Sequence, residues 1–131
     1  MSRPSLRARP WWLAALCLSA IAVAGCQPKG GPSPWPDFGG NPARGALQIG
    51  RAQCGACHEI PGVADADGQV GPPLTGFSRR TMVAGLLPNT PDNLVHWLRD
   101  PQSVTPGNAM PNTGLDEQQA RDVAAYLYNL K

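Results

Sequence analysis

Apolar residues recur at helical spacing in three stretches of the chain. In the first, Leu47, Ile49 and Ala52 offer an apolar face to a helix that opens at Asn41, a good N-cap, with Pro42 at the favoured first helical position. Gly45 falls inside it, where glycine costs about 1 kcal/mol relative to alanine. That cost makes sense if another helix crosses closely there. In the second, Thr90 caps, Pro91 and Asp92 fill the first turn, and Leu94, Val95, Trp97 and Leu98 supply the apolar positions. Pro101 ends this helix at or before Asp100. In the third, Ala120, Val123, Ala124, Leu127 and Leu130 follow the 3.6-residue period from about Asp116 to Leu130, flanked by Tyr126 and Tyr128. Asp116 and Gln119 stand in capping-box register, and Ala120 and Ala124 are small enough for a close crossing with the Gly45 helix. No run alternates as a strand would. The pattern predicts an all-α domain over residues 41–131, with three main helices joined by loops.

The loops carry strong punctuation. Pro61-Gly62 and Ala66-Asp67-Gly68 mark turns between residues 59 and 80, and Gly71-Pro72-Pro73-Leu74 is stiff, with no N–H at either proline. Thr105-Pro106-Gly107-Asn108-Ala109-Met110-Pro111 forms another loop. Ahead of the domain, Arg3, Arg7 and Arg9 precede an apolar run from Trp11 to Ala24 that ends at Gly25-Cys26, the layout of an export signal over residues 1–25. Fourteen helical residues rise about 21 Å, short of the roughly 30 Å hydrocarbon core, which disfavours a spanning anchor. Val23-Ala24-Gly25-Cys26 resembles the bacterial lipobox, so Cys26 is the expected site of lipidation, against an ordinary cleavage site beside an incidental cysteine. Cys17 leaves with the signal. Residues 26–40, rich in Pro and Gly, read as a tether; the fourteen residues from Gln27 to Gly40 reach roughly 40 Å if extended. Trp35 and Phe38 sit in it as isolated aromatics.

Charge narrows the picture further. From Cys26 onward eight basic residues face nine acidic ones, with no basic stripe of the kind nucleic acid requires. The 131 residues include 15 Gly and 15 Pro, and about ninety residues make only a thin core. A large apolar cofactor would thicken it.

Cys54-Gly55-Ala56-Cys57-His58 supplies that cofactor's signature. Two thiols separated by two residues present both sulfurs to one edge of a porphyrin, and the following imidazole reaches the iron: the pattern of c-type haem attachment. A structural zinc site would need four ligands, and only Cys17, Cys26 and His96 remain to complete one. A redox dithiol would sit near a βαβ pattern, which is absent. The carbonyl of Pro72 is the candidate acceptor for the second ring nitrogen of His58, the competing reading being an ordinary rigid turn. Met110, pinned among prolines and a glycine, is the expected second axial ligand. Met82, beside Arg79 and Arg80, is its rival and is read as packing, and His96 as a surface or edge residue.

With these motifs in order, residues 41–131 resemble a class I cytochrome c. The resemblance implies the cytochrome c fold around one covalent haem c. Cys54 and Cys57 would carry the thioethers, and His58 and Met110 would ligate the iron. Pro72 would orient His58, and Leu74 would line the haem site. Trp97 would lie on the methionine side, and Arg79 and Asn108 would hold a propionate. Ser78-Arg79-Arg80-Thr81, Leu87-Pro88-Asn89-Thr90-Pro91, Arg99-Asp100-Pro101 and Pro106-Gly107-Asn108-Ala109-Met110-Pro111 look like the cytochrome c domain fused to subunit II of some haem–copper oxidases. No copper-binding domain or paired apolar spans stand before it here, so an oxidase role is an analogy. Asn89 stands where mitochondrial cytochromes place a tryptophan on a propionate.

The expected function is a single-electron carrier in a respiratory chain. It would be lipid-anchored to a membrane, face the periplasm or cell exterior, and serve a donor complex and a terminal haem–copper oxidase. It would be an electron-transfer protein rather than an enzyme, with no catalytic residues, small-molecule substrate or nucleic-acid partner. The competing readings are a permanent subunit of a larger dehydrogenase or oxidase, and a haem gas sensor or peroxidase with a labile sixth ligand.

Overall fold

The computed structural model describes residues 37–131; the signal segment, Cys17, Cys26 and Trp35 lie outside the described residues. Helix α1 spans Pro42–Arg51, and the Asn41 side chain accepts from the Arg44 N–H at 3.0 Å, satisfying one of the donors a helix start leaves open. A short hairpin follows, β1 (Met82–Val83) against β2 (Leu87–Pro88), antiparallel with Val83 opposite Leu87. Helix α2 (Pro91–Arg99) is capped by Thr90, and one further turn, α3 (Pro101–Val104), starts anew with Asp100 as its cap. Helix α4 (Glu117–Leu127) carries the reciprocal capping box of Asp116 and Gln119. Short 3₁₀ turns at Cys54–Ala56 and Phe77–Arg79 complete the regular structure of the described residues.

The three main helices form where the apolar spacing puts them, except that the last ends at Leu127, short of the expected Leu130. The hairpin is the unexpected element: two residues per strand are too few to show alternation. Its tip holds Ala84 at φ 53° and Gly85 at φ 72°, a left-handed pair of the kind that matches strand twist in tight hairpins.

Helices α1 and α4 pack on each other, and α2 packs on α4. Ile49, Leu94, Val83, Val123, Ala120 and Ala124 are essentially fully buried between them. The crossing occurs at Gly45, as expected. A Cβ there would overlap the carbonyl of Asp122 and press on the Cβ of Tyr126, so α1 rides on the α4 backbone at Asp122. Leu47, expected on the buried face, is 62% exposed, because Gly45 and Ile49 set the face that turns inward.

The folded unit also starts earlier than the composition implies. Phe38, placed in the tether by its Gly/Pro surroundings, is buried, with its ring 4.3 Å from that of Tyr128. Gln118 Nε2 donates to the Gly39 carbonyl at 3.0 Å, so residues 38–40 belong to the domain.

One ion pair ties α1 to α4. The buried Asp122 carboxylate accepts from Arg44 Nε at 2.7 Å, Arg44 Nη2 at 2.8 Å and the Asn41 N–H at 2.7 Å. The Arg44 hydrogen bonds hold its carboxyl below the usual carboxylate range, against the opposing effect of burial. Its stabilising contribution is therefore complete above about pH 5 and is lost as pH falls through the depressed native value. Asp122→Ala orphans the Asn41 N–H and should cost about 2–4 kcal/mol. Thermal unfolding should show a midpoint lower by roughly 10–20 °C, with a shallower acid limb than the natural protein. An unchanged midpoint at neutral pH would remove Asp122 from the list of structural ties.

Candidate functional site

The site begins where α1 ends. After the Ala52 cap, Gln53 adopts φ 54°, and this left-handed residue redirects the chain into the 3₁₀ turn of Cys54–Ala56. The N–H groups of Cys57 and His58 both donate to the Cys54 carbonyl, at 3.2 and 3.0 Å. One tight turn thus brings two sulfurs and an imidazole to the wall of a single cavity. Burial pushes the Cys54 thiol up, the reverse of what an activated redox dithiol needs. Among the described residues, no group of three or more His, Cys, Asp or Glu converges as a zinc site would require.

His58 is held from behind. Its Nδ1 lies 2.8 Å from the Pro72 carbonyl, the acceptor expected from the sequence. A carbonyl can only accept, so Nδ1 carries the proton and Nε2 is left with a lone pair available to a metal. Gly71 makes the arrangement possible: a Cβ there would overlap the imidazole. The Gly71 N–H in turn donates to the Cys57 carbonyl at 2.7 Å, which locks the proline loop onto the cysteine turn.

The cavity measures about 680 Å³, and its walls are mainly apolar. Ile49 of α1, Leu94, Trp97 and Leu98 of α2, Val123 and Leu127 of α4, and Leu74 of the proline loop face it. Met110 lines it with Cys54, Cys57 and His58, and so does Met82 from β1. Its surroundings fit a large, flat, apolar macrocycle: two thiols to anchor an edge, an imidazole nitrogen and a choice of two thioethers to bind iron, and apolar walls elsewhere.

Two expected contacts are placed differently. Arg79 does not line the cavity; it is exposed, with its guanidinium folded against Gly76. The arginine on the wall is its neighbour Arg80, which donates to the Pro73 carbonyl and lies 5.3 Å over the Phe77 ring. Among the described residues on the wall, Arg80 carries the permanent positive charge, which suits a charge-assisted bond to a carboxylate. The sequence offers two adjacent arginines, and only the end of the Phe77–Arg79 turn decides which one points inward.

Asn108 lines the cavity, but its amide is committed elsewhere. Its Nδ2 donates to the carbonyls of Pro101 and Thr105, at 3.0 and 2.6 Å, and its Oδ1 accepts from the Met110 N–H at 2.8 Å. Both amide protons are used, so it braces a loop rather than holding a propionate. Asn89 likewise stands off the wall, donating to the Arg80 carbonyl and accepting from Tyr128. His96 is exposed, its Nε2 3.3 Å from Ser103 Oγ.

The family model described as Cytochrome c matches residues 42–131. Cytochrome c oxidase subunit 2 of Alkalihalophilus pseudofirmus is 40% identical over 79 residues, covering 60% of this chain and 22% of that protein. The subunit 2 of Bacillus sp. (strain PS3) is 39% identical over 82 residues, covering 60% of this chain and 23% of that protein. The chain thus spans less than a quarter of these relatives' length. Among solved structures, cytochrome c2 from Rhodobacter sphaeroides aligns with 70% of this chain and 96% of its own, at 22% identity and a TM-score of 0.49.

Proposed function

The chain belongs to the cytochrome c family, electron-transfer proteins that bind a covalent haem c with its iron, and from that premise we propose a membrane-anchored carrier of single electrons for a respiratory chain. The bound haem supplies an iron that changes oxidation state by one electron. The residues of this chain do the rest. Cys54 and Cys57 fix the group to one wall. His58 offers the lone pair of Nε2, kept free by its Nδ1–H donation to Pro72, while Met110 offers a thioether from the same cavity. Leu94, Trp97, Leu98 and Val123 exclude water from around it, and Arg80 brings a positive charge to the wall. A His/Met pair raises the reduction potential relative to ligands of other types.

The observation that carries this reading is the pairing of the orienting bond on His58 with a methionine in one apolar cavity. His58 and Met110 would together hold the iron, which suits electron transfer and would leave no coordination site for substrate. The terminal acceptor we favour is a haem–copper oxidase, because the relatives it matches are oxidase subunits. The anchor we favour is lipidated Cys26, on the strength of the Val23-Ala24-Gly25-Cys26 pattern, facing the periplasm or cell exterior. The test is optical. The reduced protein should be low-spin and indifferent to carbon monoxide, and the oxidised protein should show a methionine–iron charge-transfer band. Rapid carbon monoxide binding would instead mark a sensor or peroxidase with an open sixth position.

A further inference from the structure

The loop that presents Met110 is held by two side-chain amides whose donors and acceptors are used within it or against α3. Gln102, the second residue of α3, donates both protons of Nε2, one to the Asn108 carbonyl at 3.0 Å and one to the Met110 carbonyl at 2.7 Å. Its Oε1 accepts from the Gly107 N–H at 2.9 Å. Asn108 closes the arrangement from the other side, taking the Met110 N–H at 2.8 Å while donating to the carbonyls of Pro101 and Thr105. The backbone of Met110 is therefore gripped at both its N–H and its C=O, by side chains rather than by a helix or sheet ladder.

A short loop of Thr, Pro, Gly and Asn has no repeating backbone bonds of its own to resist motion. A thioether is a weak, neutral ligand, and its occupancy depends on how little the loop must be ordered when the bond forms. We propose that Gln102 is a positioning residue that pre-orders the Met110 loop and so sets how readily the sixth iron position opens. The proposal rests on the reading of Met110 as that sixth ligand. Gln102 is not among the residues that line the cavity; it acts through the methionine's backbone.

Imidazole is the probe, titrated into the haem-loaded ferric protein and followed by loss of the methionine–iron charge-transfer band. Gln102→Leu removes three hydrogen bonds at similar side-chain length and should raise imidazole affinity about tenfold or more, with a lower reduction potential. Gln102→Glu keeps the acceptor for Gly107 but has no N–H to give, and should behave the same way. If one variant does not fold, the other still decides the matter. Tyr128→Phe is the control for general loosening: it removes the bonds to Asn89, outside the Met110 loop, and should leave imidazole affinity unchanged. Equal effects in Gln102→Leu and Tyr128→Phe, or none in Gln102→Leu and Gln102→Glu, would overturn the proposal. Met110→Ala separates it from its foundation. If Met110→Ala opens the site and the Gln102 variants do not, the clamp alone fails; if Met110→Ala changes nothing, the ligand assignment fails and takes the clamp with it.

Discussion

Serine at both Cys54 and Cys57 should leave no haem on the chain after denaturing electrophoresis, and a preparation free of haem should lose most of its helical circular dichroism. The first half follows from bonding: serine cannot form the two thioethers that the turn of Cys54–Ala56 is shaped to present. The second follows from packing. The cavity of about 680 Å³ is walled by Ile49, Leu94 and Val123, each buried among the innermost side chains of the fold. Without the haem the apolar walls of that cavity would meet water, at about 25 cal/mol per Å² of apolar surface, and a domain's whole net stability is only roughly 5–15 kcal/mol. The helices named here are therefore expected to form only around the cofactor. Native-like circular dichroism in the haem-free variant would show instead that the α1–α4 crossing holds the fold unaided.

That result would also explain why so much of the fold is legible from sequence while its long-range joints are not. The caps at Asn41, Thr90 and Asp116 act over three residues, so residue type and spacing reveal them directly. The turn that carries Cys54 and Cys57, and the acceptor at Pro72, are legible because haem chemistry dictates both. The α1–α4 joint has no such local signature. Gly45 announces a close approach, but the rotation of α4 that sets the Asp122 carbonyl against it is fixed by packing from several sides. The Arg44–Asp122 pair joins residues 78 apart in the chain, and nothing in either residue's surroundings names the other. Phe38 was hidden by its Gly/Pro neighbours, since burial depends on Tyr128 ninety residues away. Asn108 shows the complementary limit. Its type allows a propionate contact or a loop brace equally, and only the positions of Pro101, Thr105 and Met110 select the brace.

Met110→Ala should keep the haem attached while abolishing the charge-transfer band, admitting carbon monoxide to the ferrous iron and lowering the reduction potential. The fall should be on the order of 0.2 V, within the roughly 0.8 V range that axial ligation commands. Met82 makes the experiment necessary, because it lines the same cavity. The two methionines differ in how their backbones are held. Met82 is 40% exposed on a two-residue strand and pairs with Pro88, which has no N–H to contribute to the ladder. Met110 is half-buried, with its N–H on Asn108 and its carbonyl on Gln102. A sulfur that must stay on iron needs its backbone fixed more than it needs proximity, since each loose torsion adds entropy lost on binding. Met82→Ala should accordingly leave the band, the potential and the indifference to carbon monoxide as they are. If Met82→Ala removes the band and Met110→Ala does not, the ligand belongs to the hairpin. The exposed tip at Ala84 and Gly85 would then be what holds the sixth position closed.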